Sequence, residues 1–106
     1  MSLFGFSRQP DINQGVTQYQ NTPGAILLDV RTPQEYREGH IPAIHNVPLQ
    51  DLASVAFVAE DMDAPLFVYC HSGARSRQAT LLLQQMGYSK VYNIGGITAY
   101  IGTVEK

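Results

Sequence analysis

Residues 66–76 read Leu66-Phe67-Val68-Tyr69-Cys70-His71-Ser72-Gly73-Ala74-Arg75-Ser76, and the order of residue types in this stretch decides the fold class. Leu66 to Tyr69 is an apolar, β-prone run of the kind found in strands buried on both faces. A short polar loop with one glycine follows, and a helical pattern begins around Arg75. Further on, Ala79, Leu82, Leu83 and Met86 fall at i, i+3, i+4 and i+7, an amphipathic stripe closed by Gly87. A strand that runs straight into a helix is the repeating half of an α/β layer fold.

The alternation continues outward on both sides. Asp11 is placed to N-cap a helix through about Tyr19, ended by Asn21-Thr22-Pro23-Gly24. Ala25 to Val30 reads as a buried strand. Thr32-Pro33-Gln34-Glu35 combines an N-cap, a proline at the first helical position and a glutamate at N3, so a helix starts there and runs to Gly39. A second strand is expected over Ile44 to Val47. Leu49, Leu52, Val55, Ala56 and Ala59 follow helical spacing until Asp61 to Pro65 break it. Past the central helix, Val91 to Ile94 reads as a strand, Gly95-Gly96 as a turn, and Thr98 to Val104 as a last helix. The pattern predicts a mostly parallel central sheet with helices on both faces. No repeat or linker divides the chain, so residues 1–106 are read as a single domain, with 1–9 as a flexible N-terminal segment.

Composition narrows the function classes. The formal net charge is −2 with a pI near 5.8, which gives no global attraction to nucleic acid. No apolar run is long enough to span a bilayer, and Met1 to Arg8 does not have the form of a signal peptide, so the cytoplasm is the expected location. A single cysteine excludes an internal disulfide framework and a multi-cysteine metal site, and no cofactor is expected. Between Asp63 and Glu105 there is no acidic residue, while His71, Arg75, Arg77 and Lys90 fall in that span. Two readings stay open: a basic surface for a small anionic substrate or acidic partner, or a solvated face with few charges.

Cys70 itself also has two readings. A lone cysteine is most often a small buried hydrophobe, inert in its pocket. At a strand end facing a helix N-terminus, however, unpaired N–H groups and the positive dipole end stabilise a thiolate. A free thiol with a pKa near 8.5 is only about 3% ionised at pH 7, and a shift of about two units makes the thiolate the major form. A structural cysteine has no need of Gly73 and Arg75 beside it, and their presence favours the nucleophile. That reading requires two things of the structure: amides aimed at the sulfur, and a sulfur that solvent can reach.

Four segments together resemble the rhodanese family of sulfurtransferases. Leu28-Asp29-Val30-Arg31-Thr32-Pro33-Gln34-Glu35-Tyr36 is similar to that family's early DVR-x-P-x-E-[FY] signature. Gly39 to Pro48 is similar to its GHIPGAxNxP segment, with Ala43 and Ile44 in place of the usual Gly-Ala. Tyr69 to Ser76 resembles its C-x-x-G-x-R-[ST] active loop. Asn93-Ile94-Gly95-Gly96-Ile97-Thr98-Ala99-Tyr100 resembles its GG-x-x-A-W segment, with Tyr100 where tryptophan is common. The resemblance implies a rhodanese-like three-layer fold and transfer of a sulfane sulfur from an anionic donor such as thiosulfate to a thiol or cyanide. Cys70 would then be the nucleophile and sulfur carrier, inside an active loop of His71, Ser72, Gly73, Ala74, Arg75 and Ser76. Arg75 would grip a donor's sulfonate oxygens or brace the loop through a salt bridge. Ser76 would bond the persulfide or cap the helix, and His71 would shape access. Asp29, Arg31 and Glu35 would form a buried ion-pair network supporting the loop, or Arg31 would reach substrate. His40 and His45 are read as packed or hydrogen-bonded residues at the core edge.

Two other functions compete. A cysteine phosphatase or arsenate reductase uses Cys-x5-Arg, but only four residues separate Cys70 from Arg75, and no carboxylic acid lies in the loop to protonate a leaving oxygen. A persulfide relay or regulatory binding module, acting on a protein sulfur acceptor or other protein partner, fits the same small basic loop.

Overall fold

The apolar runs form four strands: β1 (Ile26–Asp29), β2 (His45–Asn46), β3 (Leu66–Cys70) and β4 (Val91–Gly96). In this computed structural model, which describes residues 10–42 and 45–106, they pair in the order β2-β1-β3-β4, all parallel. The segment 1–9 and the Ala43-Ile44 pair lie outside the described residues, and with them the expectations placed there. Parallel pairing brings the carboxyl ends of all strands to one edge, where Asp29, Asn46, Cys70 and Gly96 meet.

Side-chain alternation along the strands builds two cores. Leu28, Val30, Leu66, Val68 and Cys70 face α3 (Ala74–Gln85) and a 3-10 helix at Leu49–Phe57. Leu27, Phe67 and Tyr69 face the other way, against Ile12 and Val16 of α1 (Ile12–Gln20) and Ile94 of β4. Helical structure therefore covers both faces of a parallel sheet, the three-layer α/β fold expected. Close approach of α1 relies on Gly15, where a Cβ would stand 2.4 Å from the Ile94 Cβ.

Local sequence explains most helix starts. Asp11 caps α1 by accepting from the Asn13 amide at 2.9 Å. Thr32 and Glu35 form the reciprocal capping box that opens α2 (Pro33–Glu38), with Pro33 at its first position.

Several expectations give way to tertiary structure. The strand expected over Ile44 to Val47 spans His45–Asn46. The Leu49–Phe57 segment is a 3-10 helix kinked at Asp51, not an α-helix, and it stops before Ala59. Its three-residue period buries Leu52 and Val55 and leaves Ala56 exposed. On α3 the buried stripe is Ser76, Ala79 and Leu83, with Met86 exposed. Gly95-Gly96 is not a turn but the end of β4, whose register against β3 skips Ile94. Gly95 takes φ +103° at this bulge. The last helix is absent: a single 3-10 turn at Ile97–Ala99 gives way to extended chain. Asn13 holds it there, donating to the Ala99 carbonyl and accepting from the Ile101 amide, both at 3.0 Å. Beyond it, Glu105 pairs with His40 in an isolated antiparallel bridge.

Candidate active site

Cys70 ends β3 with its side chain on the α3 face, directly before the loop that starts that helix. The loop turns at Gly73, whose φ of +107° suits glycine, and this conformation aims the Gly73 amide at the Cys70 Sγ at 3.0 Å. Burial by itself pushes the thiol pKa up. Hydrogen bonding with the Ser76 side chain and from the amides of Ser76, Gly73 and Ser72 outweighs it, and the pKa falls below its ordinary value. Amides aimed at the sulfur were the first requirement of the nucleophile reading.

The second requirement is not met in this conformation: Cys70 is only 1% exposed. His71, Ser72 and Ala74 of the loop that follows are exposed while Cys70 is not, so the thiol is buried where an open one was expected.

Under the loop lies β4. A Cβ on Gly96 would come within 2.3 Å of the His71 carbonyl oxygen and 2.5 Å of the Ser72 Cα. The loop backbone thus rests on a bare glycine. Ser76, fully buried in the first turn of α3, has its Oγ 3.5 Å from the Cys70 Sγ and donates to the Asn93 Oδ1 at 2.7 Å. Asn93 was not singled out as a site residue in the sequence. It is brought to Ser76 by the pairing of β4 with β3, and no local pattern announces that contact.

The expected supporting network is two separate pairs. Asp29 and Arg31 are buried together, with Nη2 to Oδ2 at 2.6 Å, and Arg31 also donates to the Gly39 carbonyl at 2.7 Å. Arg31 is thereby committed away from the loop. Glu35 instead holds Arg75: Nη1 donates to Oε1 at 2.7 Å and Nη2 to Oε2 at 2.9 Å. The Arg75 fork is occupied by Glu35 rather than open toward a donor. This pairing, with hydrogen bonds from Thr32, lowers the Glu35 pKa from 4.5 to about 2 despite partial burial. Of the residues that made the loop look basic, Lys90 lies at the opposite end of the sheet, where its carbonyl accepts from Leu66 at 2.8 Å. His45 is exposed, while His40 stacks on Tyr36 with ring centroids 3.8 Å apart.

Among the described residues no His, Cys, Asp and Glu gather into a metal-binding group, and no helix is long and apolar enough to cross a membrane.

Comparison with known proteins converges on one family. A profile of the Rhodanese-like domain matches residues 13–103. The thiosulfate sulfurtransferase PspE of Escherichia coli is 37% identical over 71 residues, 66% of this chain and 68% of that protein. A putative sulfur carrier protein of Bacillus subtilis, YrkF, is 34% identical over 99% of this chain and 52% of its own length. Among solved structures, a rhodanese with anions from E. coli superposes with a TM-score of 0.73 at 32% identity, covering 77% of this chain and 98% of that one.

Proposed function

This chain belongs to the rhodanese-like domain family of sulfurtransferases, and from that premise we propose that it carries sulfane sulfur as a persulfide on Cys70. The observation that carries this reading is the Gly73 amide 3.0 Å from the Cys70 sulfur, joined by the amides of Ser72 and Ser76. Fixed N–H dipoles already point where negative charge must reside, so these backbone amides need no reorientation when it forms.

The donor we propose is thiosulfate, the substrate in the name of the E. coli relative. The Cys70 thiolate attacks the outer sulfur of thiosulfate. A new S–S bond forms to Cys70, the old one breaks, and sulfite departs with the bonding electron pair. Sulfite is stable as an anion, so no general acid is required, in keeping with a loop that has no carboxylic acid. A thiolate or cyanide then attacks the outer sulfur of the persulfide, and Cys70 leaves as the thiolate that began the cycle. The sulfur stays at the sulfane level in both steps, so no oxidant or reductant is required. Because Cys70 is only 1% exposed, both attacks require its surroundings to open toward the reactant.

Likeness to a putative sulfur carrier protein favours a second reading of the acceptor, a thiol on a partner protein. The first half of the cycle is the same in either case.

Mass spectrometry of protein incubated with thiosulfate tests the shared step. One added sulfur atom, removable by reductant and never gained by Cys70→Ser, is the expected result. A sulfur gained equally by the serine variant removes the assignment.

A further inference from the structure

We propose that Asn93 is a positioning residue of this site: its side-chain oxygen holds the Ser76 hydroxyl proton away from Cys70, so that ionising the thiol requires that hydroxyl to turn. The inference rests on Cys70 acting as a thiolate, as argued above.

The proton positions follow from the partners. The Gly95 amide lies 3.0 Å from the Asn93 Oδ1. A backbone N–H only donates, which identifies this end of the carboxamide as the oxygen. The Ser76 Oγ is 2.7 Å from that same oxygen, which has no proton to offer, so the hydroxyl proton points at Asn93. Having given its one proton there, the Ser76 oxygen can only accept from Cys70, whose sulfur is 3.5 Å away. The chain reads S–H to O–H to carboxamide oxygen. It ends there, because a carboxamide takes up no proton near neutral pH.

Ionisation reverses it. The S–H bond breaks, its electrons stay on sulfur and its proton passes to solvent. A thiolate only accepts, so Ser76 is useful to it only after rotating its proton off Asn93. Ser76 is fully buried, and its other acceptors are the Gly73 carbonyl at 3.1 Å and the Gly95 carbonyl at 3.4 Å, both longer. The Asn93 bond is the one given up, and among the described residues the Asn93 Oδ1 then accepts from the Gly95 amide alone.

The charged groups around Cys70 are independent of this pair. Arg75 of α3 is held by Glu35 of α2, Asp29 at the end of β1 is held by Arg31, and His71 is exposed in the loop. In β4 the only titratable side chain is Tyr92, which packs on Phe67 at 5.0 Å between ring centroids on the opposite sheet face.

The test is the midpoint of Cys70 ionisation, followed by thiolate absorbance and by the pH dependence of iodoacetamide alkylation. Neither readout needs a sulfur donor, so failure of this inference is separable from failure of sulfur loading. Asn93→Ala is expected to lower the midpoint by about half a unit to one unit, the worth of one net hydrogen bond. Ser76→Ala is expected to raise it, and in that background Asn93→Ala should have no further effect. A midpoint that does not fall, or that falls equally without Ser76, overturns the proposal. Asn93→Asp keeps the acceptor for both donors and covers the case where the alanine variant does not fold. It should raise the midpoint, by less when Ser76 is alanine, and a midpoint that fails to rise also overturns the proposal.

Discussion

Arg31 and Arg75 each hold a carboxylate, but the Arg31–Asp29 side chains are 6% and 0% exposed whereas Arg75–Glu35 are 35% and 28% exposed. Removing Arg31 strands a carboxylate that water cannot reach, which costs about 3–5 kcal/mol. Removing Arg75 leaves Glu35 partly hydrated, at a cost of about 0–1 kcal/mol. Urea denaturation of Arg31→Ala and Arg75→Ala should therefore show a large and a small loss of stability; equal losses would refute this ranking by burial. The same geometry bears on catalysis. The Arg75 fork is filled by Glu35, so if Arg75 serves the proposed sulfur transfer by bracing the loop, Arg75→Ala and Glu35→Gln should impair thiosulfate turnover to similar extents. A KM for thiosulfate raised far more by Arg75→Ala would return that arginine to the donor.

At the level of elements, what the sequence made legible was whatever short-range chemistry controls. Thr32 and Glu35 lie three residues apart and specify the start of α2, and Gly73 before Ala74 opens α3 at the loop. What it hid depends on distant partners. The end of β4 carries two glycines that look like a turn, but they serve as the surface on which the active loop lies. The chain after Ala99 contains apolar residues at helical density, yet Ile101 is 88% exposed and the Asn13 side chain, far back in sequence, pins the backbone open. Within Leu49–Phe57 the spacing of three that buries Leu52 and Val55 belongs to a 3-10 helix, and it overlaps the α-helical pattern too closely to be told apart. Asn93 was hidden for the same reason as the glycines. The glycine platform gives an element-scale prediction. Gly96 has an ordinary extended conformation, φ −119° and ψ 142°, so Gly96→Ala causes no backbone strain there. The added methyl instead meets His71 and Ser72 and must lift the loop. Sulfur loading should fall at least tenfold while the circular dichroism spectrum stays unchanged; loading at the original rate would show that the loop does not depend on this contact.

Across the whole molecule, two groups of opposite location set two separate acid limits. Glu35, on the flank of the site, has its pKa lowered from 4.5 to about 2 in the folded protein. A depressed carboxylate contributes stability that is fully present above its unfolded value and is lost as pH falls through the folded one, so its effect on the fold lies between about pH 4.5 and 2. Against burial, the Ser76 side chain and the amides of Ser76, Gly73 and Ser72 also depress Cys70, at the centre of the site, below the ordinary thiol value. On the proposed persulfide reading, the reactive form falls tenfold per pH unit below the thiol pKa, and the ion pair of Arg75 with Glu35 persists down to about pH 2. Sulfur loading from thiosulfate should therefore decline with the Cys70 thiolate fraction at pH values where circular dichroism and urea stability are those of the folded protein. Glu35→Gln should make stability less steep between about pH 4.5 and 2 without moving the pH at which loading declines. Loss of loading and loss of fold at one common pH would mean that the thiolate does not limit the reaction, and the electrostatic account of the loop would fall with it.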